Sequence, residues 1–280
     1  MTLFELLPSP RRALAVRGDG MNRWTAVAVR MLSGAVSLRV TAAYAALLLA
    51  VSATLTAMGP HARAVAVSQM STNLHNLAHG RVATLIGSAF VNDGDDVYLW
   101  LPGLVCLLAL GEIIWRSTGL IVTFAVGHIG ATALVAVGLV AAVENRWVPV
   151  SVARATDVGI SYGAVCVLGA LTASIPARWR PAWIGWWLGV AMVAAWGADF
   201  TAVGHVLALL LGIGLSSRLP SIEHWTRWRV LLLVVGGTFG YLVLSGWWVS
   251  APVAGVTTAL GAHAWARAVR WRDRTAPASG

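Results

Sequence analysis

Lysine is missing from this chain: all 20 basic residues are arginine, set against only 11 acids. Charge of either sign is scarce, at 11% of positions against 58% hydrophobic, where soluble domains carry about 25% charged residues. That balance cannot clothe a water-facing surface, and it excludes a soluble domain. Cysteine is nearly absent too. Cys106 and Cys166 both sit inside long apolar runs, which gives no support to a disulfide framework or a cysteine-based metal site and marks both as packing residues. Acids are missing from the middle of the apolar runs, since Glu112 and Asp199 fall near run ends. A transporter or channel would place several charges along a path through the membrane. Residues 1–39 hold six arginines among Pro, Gly and Ser, with no short apolar core ending at a small-residue cleavage site. They are expected to form a basic, retained cytosolic segment.

What is present is a succession of apolar runs near the roughly 17–25 residues that a helix needs to cross the hydrocarbon core. Eight are expected to span, at about 40–58, 97–115, 120–143, 158–175, 182–198, 200–217, 230–249 and 251–268. The fifth and sixth form one stretch, divided near Asp199. With the N-terminus inside, sixteen arginines fall on the cytoplasmic side and only Arg63, Arg81, Arg146 and Arg154 fall outside, the bias that positive charges follow in membrane proteins. The expected fold is therefore an all-α, polytopic membrane helix bundle with both termini cytoplasmic, in the cell membrane. The longest external segment, 59–96, carries an amphipathic run at 74–90 suited to the interface and ends in the acids Asp93, Asp95 and Asp96.

Two polar residues fall at one depth. The fourth run opens Asp157-Val-Gly159-Ile-Ser161-Tyr-Gly163, a GxSxG pattern, and the sixth contains His205. Both runs enter from outside, Ser161 four residues after Asp157 and His205 six after Asp199, at depths of roughly 6 and 9 Å. A hydroxyl and an imidazole at one level are what a nucleophile and its base require, and an ionisable residue inside a span points to function. Small residues set the approach of the helices: Ala208 and Gly212 follow His205 at i+3 and i+7, and Gly159 and Gly163 are four apart. Ordinary helix packing, with Ser161 bonded to its own backbone, is the competing reading.

With GxSxG in the fourth run and His205 followed by small residues in the sixth, the chain resembles the rhomboid family of intramembrane serine proteases. The segment from Arg81 through Ser88, Ala89 and Phe90 to Gly111 and Glu112 also looks like the first external loop and second helix of rhomboids. The resemblance implies a Ser161/His205 dyad that cleaves peptide bonds in or near transmembrane segments without a metal or organic cofactor. It implies Gly159 and Gly163 as motif support. Rhomboids usually carry a His and an Asn four apart in the second helix to stabilise the oxyanion, and the matching stretch, 96–100, has neither. Losing such a donor costs about 10²- to 10³-fold in rate; the Ser161 backbone N–H is left as a donor, and Asn92, His75, Asn76 or His128 could be recruited by a different fold of the loop. A catalytically inactive relative that binds transmembrane helices is the rival.

This reading divides the chain into a basic segment (1–39), a six-helix core (40–219), two additional spans (220–268) and a cytosolic tail (269–280). Its partners are transmembrane protein substrates or clients and membrane lipids. Nucleic acid is excluded, because the arginines flank helices and form no groove-tracking patch. His75 and His79, four apart, lack further ligands at metal-site spacing. The fifteen tryptophans, among them Trp183, Trp186, Trp187, Trp247 and Trp248, are expected mostly at headgroup level.

Overall fold

The computed structural model describes residues 38–91, 97–156, 158, 160–197 and 200–275. Helix dominates and no strand occurs among them. The elements are α1 (Arg39–Ala57), α2 (Pro60–Met70), α3 (Leu74–Ala78), α4 (Thr84–Gly87), α5 (Val97–Glu144), α6 (Ser161–Ala170), α7 (Arg180–Ala195), α8 (Phe200–Leu215), α9 (Arg227–Ser245) and α10 (Ala251–Thr275). The chain is thus a polytopic helical bundle. By length and composition four helices suffice to cross a membrane: α1, α5, α8 with its following 3-10 turn, and α9. At 48 residues, α5 is about 72 Å long along its path, twice the bilayer core. It is two limbs, 97–115 and 117–144, that meet at Arg116, where the backbone takes φ 60°, ψ 174°.

That conformation is a region open almost only to glycine, and an arginine there costs about 1–3 kcal/mol. The corner is held by Glu112. Its buried carboxylate accepts hydrogen bonds from the backbone N–H groups of Val40 (3.1 Å) and Thr41 (2.8 Å), and from the hydroxyls of Thr41 (2.7 Å) and Ser117 (2.7 Å). Leu38 precedes α1 and offers no side-chain cap, so the first-turn donors of α1 are satisfied from the α5 corner. One carboxylate thereby fixes the basic end of α1 to the turn between the two limbs.

At the core sits α6, in which every residue from Tyr162 to Ala170 is buried. Glycine lets it be crossed closely. A Cβ on Gly169 would lie 2.5 Å from the Leu209 carbonyl oxygen of α8, and one on Gly212 would collide with the Cys166 carbonyl of α6. On the other side, the space beside Gly127 of α5 is filled by Cys166, and a Cβ on Gly163 would lie 2.6 Å from the Phe124 ring. The carbonyls that end α6 and its 3-10 extension (Leu171–Ser174) are tied down as well. Arg180 donates from Nη2 to Ala173 O and from Nε to Ile175 O, both at 2.9 Å, and Trp225 Nε1 donates to Ser174 O at 3.2 Å. Cys166 is buried and Cys106 half-buried, both as free thiols.

Helices α9 and α10 are bound as closely as the rest. Gly236 of α9 lies against the Leu107 backbone, a Cβ on Gly103 would lie 2.5 Å from Phe239 Cβ, and Gly240 faces Leu168 of α6. On α10, Thr258 Oγ1 donates to Gly185 O of α7 at 2.7 Å. The tryptophans divide. Trp247 and Trp248 are exposed at the end of α9, as the headgroup expectation has it, but Trp187 is buried in the core. Trp186 stacks on Tyr241 and meets Trp187 edge-on. The α7 tryptophans are packing residues because α9 and α10 cover the face that would otherwise meet lipid.

The run at 74–90 is not one amphipathic helix. α3 ends at a turn containing Gly80 (φ 75°), and α4 and a 3-10 turn (Ser88–Phe90) follow. Asn76 binds this segment to α2 by donating from Nδ2 to Ser68 O (2.9 Å) and Ser71 O (2.8 Å). Tyr44 Oη donates to Ala89 O at 2.6 Å, which draws 84–90 in against α1. Residues 1–37 and the acids at 93, 95 and 96 lie outside the described residues.

Candidate active site

Ser161 is the first residue of α6. With its 3-10 extension the helix runs only from Ser161 to Ser174, roughly 22 Å against the ~30 Å of a bilayer core. Its last turn is tied to Arg180 and Trp225, and at this length the helix is too short to cross a bilayer core by itself. Non-helical backbone at membrane depth is tolerated only beside protein or a wet cavity, and Ile160, just ahead of Ser161, is buried. The N–H groups of the first turn have no intrahelical acceptor. The helix start therefore offers a hydroxyl together with backbone donors.

His205 lies on α8, the helix that crosses α6 at Gly212 and Gly169. Its ring meets Tyr162, the residue after Ser161, edge-on with centroids 5.3 Å apart and planes at 79°. The Tyr162 phenol fills the space that a Cβ at Gly204 would need, so Gly204 is what lets the aromatic lie beside the imidazole. Ser161 and His205 are both half-exposed. The two are brought to one end of a crossed helix pair, with no hydrogen bond between them among the contacts of the described residues. Ala208 is fully buried and Gly212 backs onto the Cys166 carbonyl.

The remaining site candidates go elsewhere. His128 Nε2 lies 3.1 Å from Ser88 Oγ, and Ser88 in turn accepts from Thr72 Oγ1 at 3.3 Å. His128 thus anchors the segment around Ser88 to α5, in a buried polar cluster. Asn76 is spent on Ser68 and Ser71, and the His79 ring lies 2.7 Å from His75 O. At the start of α5, Tyr98 and Leu99 are 66% and 82% exposed. Asn92 and Gly159 lie outside the described residues. Sequence reasoning missed Tyr162 as the neighbour of His205. The signal was in view, since a bulky aromatic beside Ser161 needs a small partner and Gly204 precedes His205.

A family model described as rhomboid-like protein matches residues 36–220. No curated protein and no solved structure matches the chain. The match takes in the Glu112 corner, the start of α6 and the α6/α8 crossing, and ends before α9. This chain belongs to the rhomboid-like protein family.

Proposed function

We propose that the protein is an intramembrane serine protease acting on peptide bonds in or near transmembrane segments. The observation that carries this reading is the juxtaposition of the α6 N-terminus with His205 through Tyr162, at 5.3 Å between ring centroids. Ser161 Oγ attacks the scissile carbonyl carbon while His205 accepts its proton. The tetrahedral oxyanion is stabilised by backbone N–H groups of the α6 first turn, the Ser161 N–H among them, with Gly159 and Gly163 allowing the backbone to approach. Collapse breaks the C–N bond, His205 returns the proton to the departing amine, and water hydrolyses the acyl-enzyme with His205 again as base. A serine/histidine pair without an acidic third member is a variant of triad logic. In this proposal the catalytic core is 40–219, α9 and α10 are additions, the chain sits in the cell membrane with both termini cytoplasmic, and no metal or organic cofactor takes part.

The test is proteolysis in reconstituted liposomes. A reporter carrying a transmembrane segment rich in small residues is cut by wild type at a site that mass spectrometry locates within or beside that segment, and stays intact with Ser161→Ala. A second reading, an inactive relative that binds transmembrane helices, is favoured by one observation: His128, a side chain that could have served the oxyanion, lies 3.1 Å from Ser88 Oγ. Equal retention of the uncut reporter by wild type and Ser161→Ala would decide for that reading.

A further inference from the structure

A large groove that Ser161 does not line opens on the protein. It lies between α1 and the second limb of α5, encloses about 700 Å³ and is almost wholly apolar, with Arg39 at one end. On α1 the lining runs from Arg39 through Tyr44 to Leu47, and on α5 from Leu120 to Ile129, a length of about 12 Å. Leu85, Ile86, Ala89 and Phe90 line it as well, where Tyr44 holds the Ala89 carbonyl. Phe124, which packs on Gly163 of α6, and His128 also line the groove, and this wall of α5 separates it from α6. Leu47, Ile86 and Ile121 are 45%, 63% and 52% exposed, so it opens sideways, toward what would be the bilayer.

One guanidinium lines the groove, that of Arg39, and Arg116 sits at the adjoining corner of α5. Arg39 Nε donates to Ser117 Oγ at 3.3 Å, which places the Arg39 side chain beside the α5 corner, and the residue before Ser117 is Arg116. Arg116 is exposed and occupies backbone space suited to glycine, in a chain that uses glycine 29 times. Strain of that kind marks a position where the side chain is wanted. The acid nearby, Glu112, has its oxygens engaged by Val40, Thr41 and Ser117, and no acid lines the groove among the described residues. Apolar walls below a cationic mouth complement one occupant.

We propose that this groove is a binding site for an anionic phospholipid, with an acyl chain between α1 and the second limb of α5 and the phosphate headgroup held by Arg39 and Arg116. Guanidinium is the group suited to forked contacts with phosphate oxygens. The site is independent of whether Ser161 is catalytic.

Native mass spectrometry of the full chain tests it, using mixed micelles of phosphatidylglycerol and phosphatidylcholine with identical acyl chains. Wild type is expected to retain one phosphatidylglycerol with at least a tenfold preference. Arg39→Gln and Arg116→Gly should each lower that preference severalfold. Arg116→Gly should raise the melting temperature by a few degrees, because it relieves the backbone, so lipid loss and unfolding are read separately. Ala43→Trp, which fills the groove from an exposed position of α1, should lose both lipids. Equal retention of the two lipids by wild type, unchanged preference in both arginine variants, displacement by sn-glycerol 3-phosphate alone, or displacement by an uncharged transmembrane peptide would each overturn the proposal.

Discussion

The α6/α8 crossing and the α1 face of α5 are built on opposite principles. At the crossing, backbones approach so closely that Gly169 and Gly212 have no room for a methyl group. Toward α1, beyond the wall of α5 that carries Phe124 and His128, the contacts open into a groove of about 700 Å³ held by a few bonds at its ends, Glu112 at one and Tyr44 at the other. In a bilayer, lipid tails are as apolar as leucine, so close approach through small residues drives helix association. The tight side therefore fixes the helix that carries Ser161 against the helix that carries His205. The open side leaves α1 and the 84–90 segment room to adjust, or to hold lipid.

The sharpest way to break this contrast is to add volume to each side. Gly212→Val should destabilise the protein by about 3 kcal/mol or more, since the Cys166 backbone cannot move aside. Ala125→Leu, on the groove wall, should change stability by less than about 0.5 kcal/mol. Thermal or denaturant unfolding in one detergent measures both, and equal effects would erase the distinction. The polar tether of the open side comes next. Glu112→Ala strands the Val40 and Thr41 N–H groups and the Ser117 hydroxyl, and should cost about 2–3 kcal/mol. Glu112→Gln keeps an acceptor and should cost about 1 kcal/mol. Protection of the first-turn amides of α1 in hydrogen exchange should fall in the same order. Arg116→Gly sharpens the contrast from the other direction, with a gain of about 1 kcal/mol read by the same unfolding assay. Smallest of all, Ser161→Ala should leave stability within about 0.5 kcal/mol of wild type even where it abolishes cleavage.

The bundle was legible in the sequence because membrane spans are read from length and hydropathy, signals that need no partner. Described residues in each of the eight expected runs are helical, and four helices are long and apolar enough to cross a membrane; the sixteen-to-four arginine bias supports the proposed orientation. The division expected near Asp199 falls between the end of α7 at Ala195 and the start of α8 at Phe200, while Asp199 itself lies outside the described residues. Less legible was whatever depends on which helices touch. Trp187 reads as a headgroup residue until α9 and α10 cover α7, and 74–90 reads as one amphipathic run until Gly80 breaks it and Asn76 ties it to α2. Glu112 reads as a residue near a helix end until its partners on α1, more than seventy positions away, are seen. At the candidate site, Ser161 and His205 stood out as polar residues in apolar runs, and Tyr162 did not, because an aromatic residue in a span is unremarked until Gly204 is placed beneath it.

The central claim is that Ser161 is an activated nucleophile with His205 as its base, and labelling with a fluorophosphonate probe tests it most directly. Full-length wild type in detergent should be labelled, with the adduct on Ser161 by peptide mass spectrometry, while Ser161→Ala and His205→Ala both stay unlabelled and melt as wild type does. An unlabelled wild type beside a labelled active rhomboid, or labelling that persists in His205→Ala, would contradict the dyad.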